Sequence, residues 1–101
     1  MSDVTITAES TVVASENQVS TQLGDEAVIL GAEEGQYFGL NDVGALVWSL
    51  VQKPVQVSRV SAAVCEQYEV EADQCLEDVI ALLTDLRKKG LIHVRAEVGA
   101  P

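Results

Sequence analysis

Apolar and polar positions change rhythm twice along this chain. Residues 1–17 mix Ser, Thr and Val without a clear period and read as a flexible or extended N-terminal tail, with an extended piece at Thr11–Val13. From Gln18 a period of two sets in. Val19, Thr21 and Leu23 share one face of Gln18–Leu23, and Gly24-Asp25 supplies a turn. Glu26–Gly31 is β-rich through Val28, Ile29 and Leu30, and Ala32-Glu33-Glu34-Gly35 turns the chain again. Gln36–Leu40, with Tyr37 and Phe38, is the last strand of the run. Three strands joined by two turns predict an antiparallel meander with its third strand at an edge.

Beyond Leu40 the period becomes helical. Asn41 suits an N-cap, Asp42 suits the positive end of the helix dipole, and Val43, Leu46, Val47, Leu50 and Val51 fall on one face. Pro54 closes that helix. A second is predicted over Val57–Gln67, with Val57, Val60, Val64 and Tyr68 inward. A third runs over Ala72–Lys89, with Gly90 as its C′ residue and Arg87, Lys88 and Lys89 complementing the dipole. Glu71 is a weak N-cap for it. Leu91–Arg95 can return as a short strand, and residues 96–101 read as a C-terminal tail. Strands followed by helices, with no repeat or second domain, predict one α+β domain over residues 18–95.

The third helix has more apolar surface than one core needs. Leu76, Ile80 and Leu83 form one stripe suited to a core. Cys75, Asp78, Val79, Leu82, Asp85 and Leu86 form a neighbouring stripe that mixes apolar and acidic groups. Both stripes can face a broad core, or the second can be one wall of a groove.

Charge narrows the partners. The formal charge is −10, and residues 1–52 hold eight acids and no Lys or Arg, so the two parts carry −8 and −2. That field repels a phosphate backbone and an anionic membrane, so neither nucleic acid nor membrane is an expected partner. The acidic Met1-Ser2-Asp3 start is not that of a signal peptide, and Val43–Val51 is far short of a membrane span. A cytoplasmic location is expected, and with it free thiols at Cys65 and Cys75.

Catalytic chemistry has little to work with. His93 is the only histidine and lies far along the chain from either cysteine, so no nucleophile–base pair is suggested. Two cysteines ten apart match no zinc spacing, so a metal site would need carboxylates. Gly35, Gly39 and Gly44 form no phosphate-binding motif, and the Asp-Ser-Leu of a carrier domain is absent, since Trp48-Ser49-Leu50 lies within a helix. No enzyme, metal or cofactor is expected. Gln36-Tyr37-Phe38-Gly39-Leu40 is more suggestive, because natural edge strands are blunted by Lys, Pro or bulges and this one has neither charge nor proline. Such an edge invites strand addition by a peptide, unless the N-terminal tail or a second copy of the chain covers it.

The ordered run Gly24–Leu30, Gly35–Asn41, Val43-Gly44 and Trp48 resembles PqqD-type proteins. Tyr68-Glu69-Val70, Cys75, Asp78-Val79, Leu82-Leu83, Leu86 and Gly90-Leu91-Ile92 continue it, so that the likeness extends over residues 18 to 94. It is greatest to the small stand-alone proteins of lasso-peptide gene clusters. The resemblance implies a RiPP recognition element: a winged helix-turn-helix of a three-stranded sheet followed by three helices. Such a domain binds the leader segment of a ribosomally made precursor by strand addition to the third strand beside the third helix. It then delivers the leader to a leader peptidase or other processing enzyme. Carried across, the strand wall is Gln36, Tyr37, Phe38, Gly39 and Leu40, and the helix wall is Cys75, Asp78, Val79, Leu82 and Leu86. Alternation sends only one of Tyr37 and Phe38 toward the groove. Two other readings stand beside this one. One is PqqD proper, presenting its precursor to a radical SAM enzyme in pyrroloquinoline quinone synthesis. The other is a winged-helix DNA-binding regulator, for which the third helix is poor in cations. An exposed edge can also form a homodimer.

Overall fold

Two three-stranded antiparallel sheets divide the strands of this domain between them. The computed structural model describes residues 5–16, 18–31 and 37–95. In chain order its elements are β1 (Thr11–Ala14), β2 (Gln18–Leu23), β3 (Glu26–Gly31), β4 (Tyr37–Leu40), α1 (Asp42–Leu50), β5 (Val55–Gln56), α2 (Val57–Tyr68), α3 (Ala72–Lys88) and β6 (Ile92–Arg95). The meander is present as β2-β3-β4, and the three helices follow it in a winged helix-turn-helix arrangement. The turn expected at Ala32–Gly35, the residue Gln36, and residues 96–101 lie outside the described residues.

The second sheet, β5-β1-β6, gives the N-terminal segment a different role from the expected tail. Thr11–Ala14 is its central strand, with Val12 opposite both Val55 and Val94, and Val12 and Ile6 are buried in the core. Residues 5–16 are thus part of the folded unit. They also close the ends of helices. The amides of Val57 and Ser58, in the first turn of α2, donate to the carbonyls of Ser10 (2.9 Å) and Ala8 (2.9 Å). Gln56 provides no side-chain cap there, so backbone carbonyls satisfy donors that the helix start leaves open. The amide of Ala14 donates to the carbonyl of Val51, just after α1, at 2.8 Å, and that of Ser15 to Leu91, just after α3, at 2.8 Å.

Local signals fix the other boundaries. The side chain of Asn41 accepts from the amide of Gly44 at 2.9 Å, the N-cap read from sequence. A Cβ at Gly44 would lie 3.0 Å from Leu40 Cδ2, so glycine lets α1 fold back closely on the end of β4. Gly90, at φ 74°, ends α3: its amide donates to Arg87 and that of Leu91 to Leu86, each at 2.9 Å. That is the Schellman pattern, and its apolar partners Leu86 and Leu91 are both buried.

The core lies between the helices and the inner faces of the two sheets. In α1 the buried face is Gly44, Ala45, Val47 and Trp48, while Val43, Leu46 and Leu50 are half-buried, a rotation of about one position from the expected stripe. In α3 the buried stripe is Cys75, Val79, Leu83 and Leu86, and Leu76 and Ile80 lie at its margin. The mixed stripe, not the purely apolar one, therefore supplies most of the core face of α3. No described helix is long and apolar enough to cross a membrane.

α2 ends at Glu69, a non-glycine residue held in the left-handed region at φ 53° and ψ 49°. Such a conformation costs about 1–2 kcal/mol for an L residue, and glycine adopts it freely. Glu69→Gly should therefore raise stability by about 0.5–1 kcal/mol, after the entropy that glycine adds to the unfolded chain. In a thermal scan this is a Tm higher by about 3–6 °C. An unchanged or lower Tm would show that the turn holds no strain.

Candidate functional site

The edge of β4 is open among the described residues. In the sheet order β2-β3-β4 its inner side pairs with β3, through Ala27 opposite Leu40, Val28 opposite Gly39, Ile29 opposite Phe38 and Leu30 opposite Tyr37. The N-terminal strand, which could have covered the other side, is held in the second sheet. What remains is a short strand, Tyr-Phe-Gly-Leu, with neither charge nor proline. Alternation settles its faces. Leu40 is buried and Phe38 half-buried on the helix side, with Ala27 and Ile29, whereas Tyr37 is 70% exposed on the opposite side. Gly39 is exposed as well, and a Cβ there would have nothing among the described residues within 4 Å, so none of them demands a glycine.

Beside this strand the helices form an apolar groove. Val43 and Val47 of α1, Val64 and Tyr68 of α2, Val70, and Cys75, Asp78, Val79 and Leu82 of α3 enclose a cavity of about 120 Å³. The chain passes from β4 into α1 through Asn41 alone, so Val43 on the groove rim follows the end of β4 by three residues. Cys75 and Val79 are core residues that also form the groove floor, while Leu82 is half-buried and Asp78 exposed at the mouth. The Asp78 carboxylate accepts a hydrogen bond from the Gln74 amide at 3.0 Å, one helical turn earlier, which orients it. Burial, followed by the Asp42 and Asp25 carboxylates, pushes the Tyr68 phenol above its ordinary pKa, so it remains a donor at neutral pH. Those two acids and Tyr68 border a neighbouring polar cleft of about 300 Å³ with Gln22, Ser49 and Gln67.

Of the residues expected at the site, Cys75, Asp78, Val79 and Leu82 come together in one groove, and Phe38, Gly39 and Leu40 lie on the open strand. Gln36 lies outside the described residues. Two of the expected residues do not face the groove. Leu86 is fully buried in the core and does not line the groove, because it forms the apolar contact of the Schellman turn. Tyr37 points away from the helices. The groove also contains Val43, Val47, Val64, Tyr68 and Val70, which the single-helix stripe analysis missed. Val43 and Val47 carried the helical period of α1, and Val70 is placed over the groove by the left-handed turn at Glu69.

A second surface faces the other way. On the outer side of β2-β3-β4, Val19 is paired with Leu30 and Leu30 with Tyr37, so these three form one transverse row. They are 67%, 48% and 70% exposed, with Leu23 exposed on the same face. Apart from Val70, these are all of the exposed large apolar residues among those described.

Comparison with known proteins agrees with this architecture. The sequence model of coenzyme PQQ synthesis protein D (PqqD) matches residues 26–92. The structure of TbiB1 in complex with the TbiA(beta) leader peptide is similar, at 32% identity and TM-score 0.76, covering 84% of this chain and 99% of that one. So is a lasso peptide synthetase B1 complexed with its leader peptide, at 26% identity and TM-score 0.72, covering 81% and 96%. The tRNA-dependent lantibiotic dehydratase MibB from Microbispora sp. 107891 shares the fold, at 24% identity and TM-score 0.56, over 86% of this chain and 8% of its own. No curated protein sequence matches the chain. A match over most of the helices and the meander, with a relative of nearly equal length, settles the assignment: the chain belongs to the PqqD family, as a PqqD-like RiPP recognition element.

Proposed function

We propose that this protein binds the leader segment of a ribosomally synthesised precursor peptide and presents it, without catalysis of its own, to a processing enzyme. The observation that carries this reading is the uncharged, open β4 edge beside an apolar groove. The leader adds as a further strand on Tyr37–Leu40, so backbone bonds supply affinity. Its alternate side chains lie toward the groove, where Val43, Val79 and Leu82 take apolar anchors and the oriented Asp78 takes a cation or hydroxyl. Two related proteins of nearly the same length have been solved with leader peptides, which supports the same mode here. We read the precursor as one of the lasso class, which the lasso peptide synthetase B1 relative supports, and the enzyme served as a leader peptidase.

The chain's own groups fit recognition better than bond breaking. His93 lies exposed on β6, opposite Val13 in the second sheet, whereas Cys75 is in the core under the groove. Strand addition also gives the outer sheet face a role. A leader strand beside β4 continues the row Val19–Leu30–Tyr37 by one more side chain, so protein and leader together offer an apolar surface to the processing enzyme.

The test is a fluorescence-polarisation titration with the leader of the precursor encoded beside this chain and a scrambled leader as control. We expect saturable binding with Kd on the order of a micromolar, little changed by raised salt. Gly39→Pro, which removes a strand donor, should weaken it at least about tenfold while the fold persists by circular dichroism. Unchanged affinity in that variant would sink strand addition.

The groove has its own signature in paired affinity and urea-unfolding measurements. Val79→Ala should lose about 2 kcal/mol of stability because the floor is core. Asp78→Asn should lose less than about 0.5 kcal/mol of stability yet weaken the leader about three- to tenfold. Leu30→Asp, on the outer face, should leave leader affinity intact and abolish capture of the leader-loaded protein by the peptidase. Leader weakening by Leu30→Asp, or capture that survives it, would remove the outer face from the reading.

A further inference from the structure

The two cysteines face each other across the seam between α2 and α3. The Cys75 thiol donates to the carbonyl of Ser61 at 3.5 Å, and that residue lies one helical turn before Cys65 on α2. Burial, followed by the neighbouring Cys75 thiol, pushes the Cys65 thiol above the ordinary thiol range. The pair spans two cavities. Cys65 borders an open cleft of about 540 Å³, with Ser58, Ala62, Glu66, Asp73 and Leu76, wide enough to admit a small thiol reagent. Cys75 is buried and lies on the floor of the leader groove.

That groove is narrow. Its volume of about 120 Å³ is below the ~150 Å³ of a cavity that holds benzene. Val64 and Tyr68 on α2 face Cys75, Asp78, Val79 and Leu82 on α3, so the spacing of the two helices sets the width of the groove between them.

We propose that Cys65 and Cys75 form a reversible intramolecular disulfide, by exchange with a low-molecular-weight disulfide such as glutathione disulfide, that pins α2 to α3 and holds the groove at its narrow width. The Cys65 thiol, reached from the open cleft, gives up its proton and attacks one sulfur of glutathione disulfide, expelling one glutathione thiolate that takes up the proton. Cys75, giving up its proton, then attacks the Cys65 sulfur and expels the second. Two protein thiols are oxidised, and one glutathione disulfide is reduced to two glutathiones. The bridge closes the short segment around the Glu69 turn, which stabilises the fold while it closes the groove to the leader. This regulation rests on the leader-binding reading above.

The experiment uses the full chain, reduced and then treated with glutathione disulfide. Free thiols are titrated, intact mass is taken under non-reducing conditions, and the labelled leader is titrated against both forms. The expected result is loss of both thiols, a monomer lighter by two hydrogens, Tm higher by about 5–10 °C, and leader affinity lower by about fivefold or more, all restored by reductant. Cys65→Ser should bind the leader as the reduced protein does, with oxidant or without. Thiols that stay free, a stable glutathione adduct, or a disulfide between chains would overturn the proposal. So would a disulfide that leaves leader affinity unchanged. A reduced protein that ignores the leader would overturn the binding reading and the gating together, and is seen before oxidant is added.

Discussion

Residues 8–15, which include the strand β1 held between β5 and β6, bond the first amides of α2 and the carbonyls of Val51 and Leu91 in the segments that follow α1 and α3. Carbonyls of Ala8 and Ser10 take the first amides of α2, and amides of Ala14 and Ser15 take the carbonyls of Val51 after α1 and Leu91 after α3. A buried polar group left without a partner costs about 1–3 kcal/mol, so four such bonds matter to a domain whose whole stability is of order 5–15 kcal/mol. The same pairing has a functional side. A strand held there cannot cover β4, so the interaction that closes the second sheet is also what keeps the edge of the first one open.

In the proposed binding mode, edge and groove divide the work of recognition by physical type. A strand edge offers backbone groups that any extended peptide can pair with, and it discriminates poorly. Discrimination falls to the side chains beside it. The groove floor, Cys75 and Val79, belongs to the core, so its shape is fixed by packing that the fold itself requires. The rim, Val43, Val70, Asp78 and Leu82, is half-buried or exposed, and changes there need not unfold the domain. Under that mode, substitutions at the rim can alter which leader is accepted while the fold is kept.

Much of the fold was legible in the sequence because it rests on local signals: the Asn41 cap, the Gly24-Asp25 turn, the Gly90 terminus and the two-residue period of the meander. The second sheet was not, because its strands are short and far apart in the chain, and Val55–Gln56 has only two residues in which to show a period. Thr11–Val13 carried an extended signal, but nothing local says with what it pairs. The stripe that holds Asp78, Val79 and Leu82 was legible in the sequence, but its pattern alone left core face and groove wall open, and the family resemblance was what pointed to a wall. Leu86 continued that period, yet the chain reversal at Gly90 takes it into the core. Val64, Tyr68 and Val70 reach the groove only through the left-handed turn at Glu69, a conformation that a glutamate does not announce.

The winged helix-turn-helix is a geometry that also suits DNA, and here charge decides against that use. A helix that reads base edges brings Arg, Lys, Asn or Gln to the groove, and phosphate contacts require cations around it. The exposed positions of α3 include Asp73, Glu77, Asp78 and Asp85, with cations only at its last turn, and residues 1–52 contribute −8 with no Lys or Arg. That field repels a phosphate backbone at long range. It imposes little on a peptide strand, whose backbone bonds form at contact and whose apolar side chains carry no charge to repel. On this physical argument a helix and strand edge poor in cations suit an extended peptide better than a phosphate backbone.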